Sequence, residues 1–477
     1  MKFRILSVVL AVLAASSVAI SNANEIKLSE RDARQTTETA TKGVVYQINL
    51  RAFTPEGTLE AAKKRLPKLA ELGVTIVYLC PFMTSDDDQR QEFWTPRQKQ
   101  SGMNNPKNPY RIKDYYNVDP EYGTNDDLRA FVDEAHALNL KVFFDLVYLH
   151  CGPTAVFIKD HPDFVKRDKD GKVTNADWGF TALNFSSAEL REYLLKNMEY
   201  WVRDYSCDGF RLDFGDGVPL DFWAEGRRRL DAIRPGLILF SEGTRPEDQL
   251  DVMDLNYSFW FFTALDSVMS GKRPASYIMD VANKVFAQRP RGTRFVYYFD
   301  NHDIANDDYS NRREKRWGDA ANRMLLTLIF TLDGTPMIYN GQEIADESRH
   351  SIFGNAPVDW SKENSEEGKG RFEFLQNLIR LRKERPALTS NELVWIPELC
   401  GKRVLTFLRR SETETLFCVF NFSKEPSSVS CSPGPAFAGA EPIQEACAAG
   451  VVLGDRNLNV DLPPYGYAVV KLIPTSK

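Results

Sequence analysis

Four short blocks carry the side chains whose types and spacing point to chemistry. They are Asp145-Leu146-Val147-Tyr148-Leu149-His150, Gly209-Phe210-Arg211-Leu212-Asp213, Phe240-Ser241-Glu242 and Phe299-Asp300-Asn301-His302-Asp303. Each follows a short apolar run that reads as a buried strand, so each sets carboxylates where a strand runs out. Three carboxylates, an arginine and two histidines converging at one end of a barrel would form a site for cleaving a sugar–sugar bond. That reaction passes through an oxocarbenium-like transition state, and retention needs a carboxylate nucleophile roughly 5–5.5 Å from a protonated carboxyl. Adjacent barrel strands hold side chains at about that separation, and successive strands offer Asp213 and Glu242. Arg211 lies two residues before Asp213 and shares its face of the strand. Its charge is expected to keep Asp213 ionised. Glu242 must begin protonated, its pKa raised by burial and neighbouring carboxylates. Taken singly, a carboxylate at a strand end is a solvated loop residue or a helix cap, and a lone histidine is a satisfied structural group; the case rests on the four blocks together.

The elements that must position these blocks alternate from Gly43 onward, which implies a parallel sheet with crossover helices. Strands are expected at 44–48, 75–79, 141–145, up to Asp213, 237–240, 251–255, 294–299 and 337–339. Helices are expected at 59–72, stopped by Gly73, at 126–139 with Asn125 or Asp126 as cap, at 187–205 and at 372–385. Residues 81–125 read as a long polar loop. The fold class is α/β, a (β/α)8 TIM barrel whose catalytic groups lie at the C-terminal strand ends. Residues 151–185, with Pro153, Pro162 and the turn Lys169-Asp170-Gly171-Lys172, break the rhythm as a small excursion. The expected organisation is 1–23 signal peptide, 24–42 loose leader, 43–388 barrel and 389–477 C-terminal β-sandwich.

Lys2 and Arg4 precede an apolar stretch, and Ser21-Asn22-Ala23 fits a small-x-small cleavage site. The expected location is secreted or periplasmic, with no membrane attachment once the signal is cleaved. The formal charge of −6 argues against nucleic-acid binding, and aromatics at 12% are on the high side. Seven cysteines leave at least one unpaired. Cys80 and Cys151 follow neighbouring strands and are placed to meet. Cys400, Cys418, Cys431 and Cys447 allow three pairings, and Cys207 reads as a buried free thiol. All seven reduced is the alternative.

The four blocks resemble the four conserved regions of the α-amylase family, glycoside hydrolase family 13. Asp114-Tyr115-Tyr116-Asn117-Val118-Asp119-Pro120-Glu121-Tyr122-Gly123-Thr124 is similar to the segment before the family's second barrel helix. Gly334-Thr335-Pro336-Met337-Ile338-Tyr339-Asn340-Gly341-Gln342-Glu343 is similar to its eighth-strand loop. The likeness covers 43–385, and the β-rich tail resembles the family's C-terminal domain. It implies that Asp213 is the nucleophile, Glu242 the acid/base, and Asp303 a group that binds sugar hydroxyls and stabilises the ring. It implies that His150 and His302 bind hydroxyls, Tyr110 stacks on the sugar and Asp145 braces Arg211. The implied substrate is an α-glucan or malto-oligosaccharide. Trp94, Trp178, Tyr148, Tyr257 and Trp260 are candidates for outer subsites, with packing the better reading for any one of them.

Three departures from the family pattern stand out. Leu149 replaces an asparagine that ligates calcium in many relatives and offers a hard cation no oxygen, so no metal or other cofactor is expected. Phe214-Gly215-Asp216-Gly217 follows the nucleophile in place of a Lys-His pair. Asn306 stands where many relatives carry arginine. The leading function is a secreted retaining hydrolase of α-linked glucans. An exo-acting α-glucosidase or transglycosylase would use the same triad, and a catalytically dead glucan-binding or scaffold protein is the rival from another class.

Overall fold

The structure is a computed structural model, and it describes residues 27–175, 177–432, 437–453 and 457–475. The signal sequence expected at 1–23 lies outside the described residues. Eight parallel strands close into a barrel: β1 Val45–Ile48, β2 Ile76–Leu79, β3 Lys141–Leu146, β4 Gly209–Leu212, β5 Ile238–Ser241, β6 Leu255–Tyr257, β7 Phe295–Tyr297 and β8 Thr335–Tyr339. Each pairs with its sequence neighbours, and β8 closes on β1.

Alternation along the strands sorts side chains into two cores. Val45, Ile76, Phe143, Ile238, Leu255, Val296 and Met337 fill the barrel interior. The intervening residues, such as Tyr46, Val77 and Phe144, pack outward beneath the helices. Continuing the inward phase by two residues reaches Gln47, Tyr78, Asp145, Arg211, Phe240 and Tyr257, and by four reaches Asp213 and Glu242. Gly209 makes β4 fit: a Cβ there would lie 2.7 Å from the Ile238 carbonyl oxygen and from the Phe143 ring. Only a bare Cα lets the strand carrying Arg211 close against both neighbours.

Helix Leu59–Leu72 has the expected bounds. The Thr58 side chain caps it by accepting from Ala61 N, and Gly73 ends it in the left-handed region at φ 97°. Helix Asn125–Ala137 is capped one residue earlier than expected, by Thr124 in a reciprocal box with Asp127. The helix expected at 187–205 runs Ala188–Tyr205 with Ser187 as its cap, and the helix expected at 372–385 begins earlier and runs Glu366–Glu384.

Other expectations change more. The strand expected at 251–255 starts only at Leu255, because Asp248–Asp251 is a helical turn and Asp254 is a buried bracket accepting from Leu239 N. The loop expected at 81–125 holds a hairpin, Met83–Ser85 against Ile112–Val118, and a short helix Pro96–Gln100 capped by Thr95. Residues 27–42 are not loose. Helix Glu38–Lys42 buries Ala40, Arg34 pairs with Asp254, and Thr36 Oγ1 donates to Asp254 at 2.7 Å.

The excursion after β3 is small, its ends held by His150–Cys151 pairing antiparallel with Thr181–Ala182. The C-terminal region forms a five-stranded and a three-stranded antiparallel sheet, sharing a core of Phe417, Val419, Val429, Leu458, Val460 and Val470. Buried Arg409 donates from this region to the Thr331 carbonyl at 2.7 Å, tying it to the barrel. All seven cysteines are free thiols. Cys80 and Cys151 are not joined. Among the described residues no helix is long and apolar enough to cross a membrane.

Candidate active site

Arg211 has no solvent exposure, and three carboxylates surround its guanidinium. Nη1 donates to Asp145 Oδ1 and to Asp213 Oδ1, each at 2.7 Å, and Nη2 lies 2.7 Å from Glu242 Oε2. The register explains the bracing, since Arg211 sits directly opposite Asp145 across the β3–β4 ladder. Asp145 also accepts from Tyr78 at 2.7 Å and from Tyr110 at 3.1 Å through Oδ2. Glu242 Oε2 accepts a second bond from the Phe214 amide at 2.9 Å, leaving Oε1 as the oxygen able to carry a proton.

The remaining residues join through Tyr110. Its hydroxyl lies 2.6 Å from His302 Nε2, and its ring stacks on that imidazole at 5.4 Å. Its carbonyl lies 2.9 Å from His150 Nε2. His150 in turn lies face to face with Phe180 at 3.9 Å. Gln47, on β1, grips His302 twice: Oε1 accepts from the backbone amide at 3.1 Å, and Nε2 meets Nδ1 at 2.7 Å. Nε2, the nitrogen facing Tyr110, also lies 3.2 Å from Asp303 Oδ2. Asp303 Oδ1 accepts from Arg97 Nη1 at 2.7 Å, and Arg97 Nε reaches Asp307 at 2.7 Å. A sugar hydroxyl reaching Asp303 must therefore share it with Arg97, its more exposed partner.

All eight residues singled out from sequence thus lie in one connected cluster. Tyr110 differs from expectation in its surroundings, since it is almost fully buried against His302 and Arg211. Gln47, Tyr78 and Arg97 belong to the cluster and were not singled out. Gln47 carried a signal, as a lone amide in the apolar run Val44-Val45-Tyr46-Gln47-Ile48. Trp94, Tyr148 and Tyr257 are buried, and Trp260 packs on Phe286, Phe295 and Tyr297. Trp178 is exposed.

Burial dominates the electrostatics. It pushes Asp213 well above the usual carboxylate range, with Arg211 opposing and Glu242 reinforcing. The expected effect of Arg211, which is to keep Asp213 ionised, is thus opposed by desolvation. Burial likewise raises Glu242, against Arg211 and with Asp303. Both carboxyls contact the same guanidinium, so they titrate together and not as isolated groups. Asp303 is the opposite case, for His302 and Arg97 outweigh its burial and hold it well below the usual range. Burial would lower His302, but Asp303 and Cys80 outweigh it and draw the ring well above its ordinary value.

Leu149 offers a hard cation no oxygen, and its methyls face Gly217. Elsewhere in the loop after β2 the buried Arg111 guanidinium collects the carbonyls of Asp86 at 2.8 Å, Asp88 at 2.8 Å, Phe93 at 3.1 Å and Pro106 at 2.7 Å. Asn306 serves the fold, accepting from Ser351 Oγ at 3.1 Å and Ile352 N at 3.2 Å.

Burial lowers His150 to about 4, so it is neutral in the folded protein near neutral pH. A histidine depressed on folding contributes stability above its unfolded value of about 6.5, and that contribution is lost as pH falls toward 4. The loss from one such group is about 2 kcal/mol by pH 5. His150→Gln should therefore flatten the fall in melting temperature between pH 7 and 5. An unchanged acid slope in that variant would show that His150 is not held neutral.

The α-amylase catalytic-domain family model matches residues 17–181 and 173–366, and the maltogenic amylase C-terminal domain model matches 400–469. A cyclomaltodextrinase of a Bacillus species is 27% identical over 413 residues, 79% of this chain and 68% of that protein. A maltogenic α-amylase of Bacillus acidopullulyticus is 25% identical over 406 residues, 77% of this chain and 63% of that one. The crystal structure of a noncanonic maltogenic α-amylase from Thermotoga neapolitana superposes with a TM-score of 0.72 at 26% identity, covering 91% of this chain and 98% of that one. The chain thus spans roughly two thirds of the length of these curated relatives. With one catalytic-domain model running through every strand of the barrel and all four blocks, the chain belongs to the α-amylase family of glycoside hydrolases.

Proposed function

We propose that the protein hydrolyses α-linked glucans, α-1,4-linked malto-oligosaccharides first among them, with retention of anomeric configuration. The observation that carries this reading is the single guanidinium of Arg211 bound to both Asp213 and Glu242. Two carboxyls on the terminal nitrogens of one guanidinium fit the roughly 5–5.5 Å spacing of retaining glycosidases rather than the roughly 6.5–9.5 Å of inverting ones. The relatives' names, cyclomaltodextrinase and maltogenic α-amylase, support the substrate class.

In this mechanism the reactive form carries a proton on Glu242 Oε1, with Asp213 ionised against Arg211. Asp213 attacks C1 as Glu242 protonates the leaving oxygen, and a glycosyl ester forms on Asp213. Glu242, now a carboxylate, takes a proton from the water that breaks that ester. Asp303 and His302 hold ring hydroxyls. Asp213→Asn removes the nucleophile while keeping an isosteric acceptor for Arg211. Turnover of maltotriose should fall by several orders of magnitude with the fold intact. Wild-type rates in that variant, or a β-anomer as first product by proton NMR, would reject the scheme.

The pH dependence follows from the pair. The rate needs Asp213 ionised and Glu242 protonated, so it should trace a bell over mildly acidic to neutral pH. The acidic limb reports loss of the Asp213 charge, and the alkaline limb reports loss of the Glu242 proton. With an activated aryl α-glycoside, which needs no acid, Glu242→Gln should remove the alkaline limb from the pre-steady-state burst. Persistence of that limb would assign the acid to another group.

We also infer that the protein works without calcium at the family's usual position, because Leu149 supplies no ligand oxygen. Activity and melting temperature should survive EDTA. A large loss restored by calcium would overturn this.

A further inference from the structure

Asp213 and Glu242 stand at the ends of neighbouring strands, and the loops that follow them are bound to each other. The Gly215 amide donates to the Glu242 carbonyl at 2.9 Å, and the Phe214 amide donates to Glu242 Oε2 at 2.9 Å. Arg245 Nη2 donates back to the carbonyls of Gly215 at 3.0 Å and Val218 at 3.1 Å. Asp216 is the centre of this exchange. Its Oδ2 accepts from the Thr244 amide at 2.7 Å and from Thr244 Oγ1 at 2.9 Å, and its Oδ1 accepts from the Arg245 amide at 3.1 Å. One carboxylate from the loop after β4 thus takes three donors from the loop after β5.

The backbone is shaped around this carboxylate. A Cβ on Gly243 would lie 2.5 Å from Asp216 Oδ1 and 2.7 Å from Ser241 Oγ, and one on Gly215 would lie 2.2 Å from Ser241 Oγ. Both loops are bare where they meet. Phe214, between Asp213 and Gly215, stands in left-handed backbone at φ 41°. A bulky residue avoids that region and persists there only where the surroundings over-determine it. Phe214 is 39% exposed, so burial of its ring does not supply that hold. The bonds that Gly215 and Asp216 make to the far loop supply it. The far loop is itself fixed from behind. Asn256 Nδ2 donates to the Gly243 carbonyl at 3.2 Å and to Asp248 Oδ2 at 2.9 Å, and Arg289 Nη1 donates to the Arg245 carbonyl at 3.3 Å. Arg245 Nε, 3.6 Å from Asp248 Oδ1 and 4.0 Å from Asp216 Oδ1, sets a cation between the two carboxylates.

We propose that Asp216 is a positioning residue of the reaction: by locking the loop after β5 to the loop after β4, it keeps the Phe214 amide on Glu242 Oε2 and so aims Oε1 at the leaving oxygen. The proposal rests on the retaining hydrolase reading above, in which Glu242 is the acid. Asp216 acts here through the backbone and not through its charge, and the two routes have opposite signs. A carboxylate acting through space disfavours ionisation of Glu242, so removing it would let the proton go more readily. An amide bonded to Oε2 favours the ionised form, so losing it makes Glu242 keep its proton to higher pH. The other groups that face Glu242 are Arg211 and Asp213 on and after β4, Tyr257 on β6, and Tyr298, His302 and Asp303 after β7. All of them stay in place in the variants below, so a moved alkaline limb reports on Asp216 and its partners.

The test compares kcat/KM for maltotriose, whose sugar leaving group needs the acid, with kcat/KM for an activated aryl α-glycoside, whose leaving group does not. In Asp216→Ala the maltotriose value should fall by about ten- to a hundredfold, the upper figure being the cost of a misplacement of about 1 Å. The aryl glycoside value should fall by a much smaller factor. The alkaline limb of kcat/KM for maltotriose, which reports the free enzyme, should move to higher pH. Thr244→Val removes one of the donors and no charge, and it should move the substrate ratio and the limb the same way by less. The two substitutions together should cost less than the product of their separate losses, because both break one contact. A limb that moves to lower pH in Asp216→Ala would assign the effect to charge and overturn the proposal. Equal losses on both substrates with an unmoved limb and a lowered melting temperature would leave Asp216 a purely structural role and overturn it too. Should Asp216→Ala not fold, Thr244→Val decides, and a wild-type substrate ratio and limb in that variant would reject the proposal. A wild type that cleaves neither substrate would instead remove the hydrolase reading beneath it.

Discussion

A guanidinium cut off from water has to find anions or carbonyls for its charge, because desolvation of an unpaired ion costs several kcal/mol. Arg211 finds three carboxylates, and the C-terminal mouth of the barrel is arranged around that requirement. Asp145 must stand across the β3–β4 ladder, so the register of those strands is fixed. Gly209 must lack a side chain so that β4 can close between β3 and β5. Tyr78 and Tyr110 must occupy the second oxygen of Asp145, or that carboxylate would turn away. The same cation binds both carboxyls of the proposed displacement, so the electrostatics that stabilise the folded mouth also act on both reacting groups.

This dependence explains what was legible from sequence. Residues that neutralise or brace a buried charge come in fixed types at fixed spacings, and Asp145, Arg211, Asp213 and Glu242 were visible for that reason. Their inward phase also contains Gln47, Tyr78 and Cys80, which counting by twos from the barrel-filling residues would have reached. They were passed over because an amide, a phenol or a thiol within an apolar strand reads as packing. Arg97 left no trace. It lies in a polar stretch that looked like a plain loop, and only the short helix Pro96–Gln100 places it against Asp303.

Local signals worked where one residue decides an end, as with Thr58 and Gly73. They failed where tertiary pairing decides, as at Asp254, whose buried bracket to Leu239 N delays β6. They failed again at 27–42, where threonine-rich text suggested looseness but Arg34 and Thr36 dock on the same Asp254. The electrostatics of Asp213 were only half legible for a related reason. Sequence shows the neighbouring arginine but not the depth of burial, which acts against it.

The distribution of departures from the family pattern follows the same logic. A group that pairs with Arg211 cannot change without stranding a buried charge, so variation is confined to positions outside that network. Leu149, Phe214, Gly217 and Asn306 are such positions: Leu149 and Phe214 flank Gly217, and Asn306 accepts two bonds from the neighbouring loop. Changes there leave the charge network intact while altering what surrounds the sugar. The four blocks therefore report the chemistry that the barrel can perform. The residues between and after them surround that chemistry, and in this chain they include the apolar Leu149 and Phe214 beside Gly217.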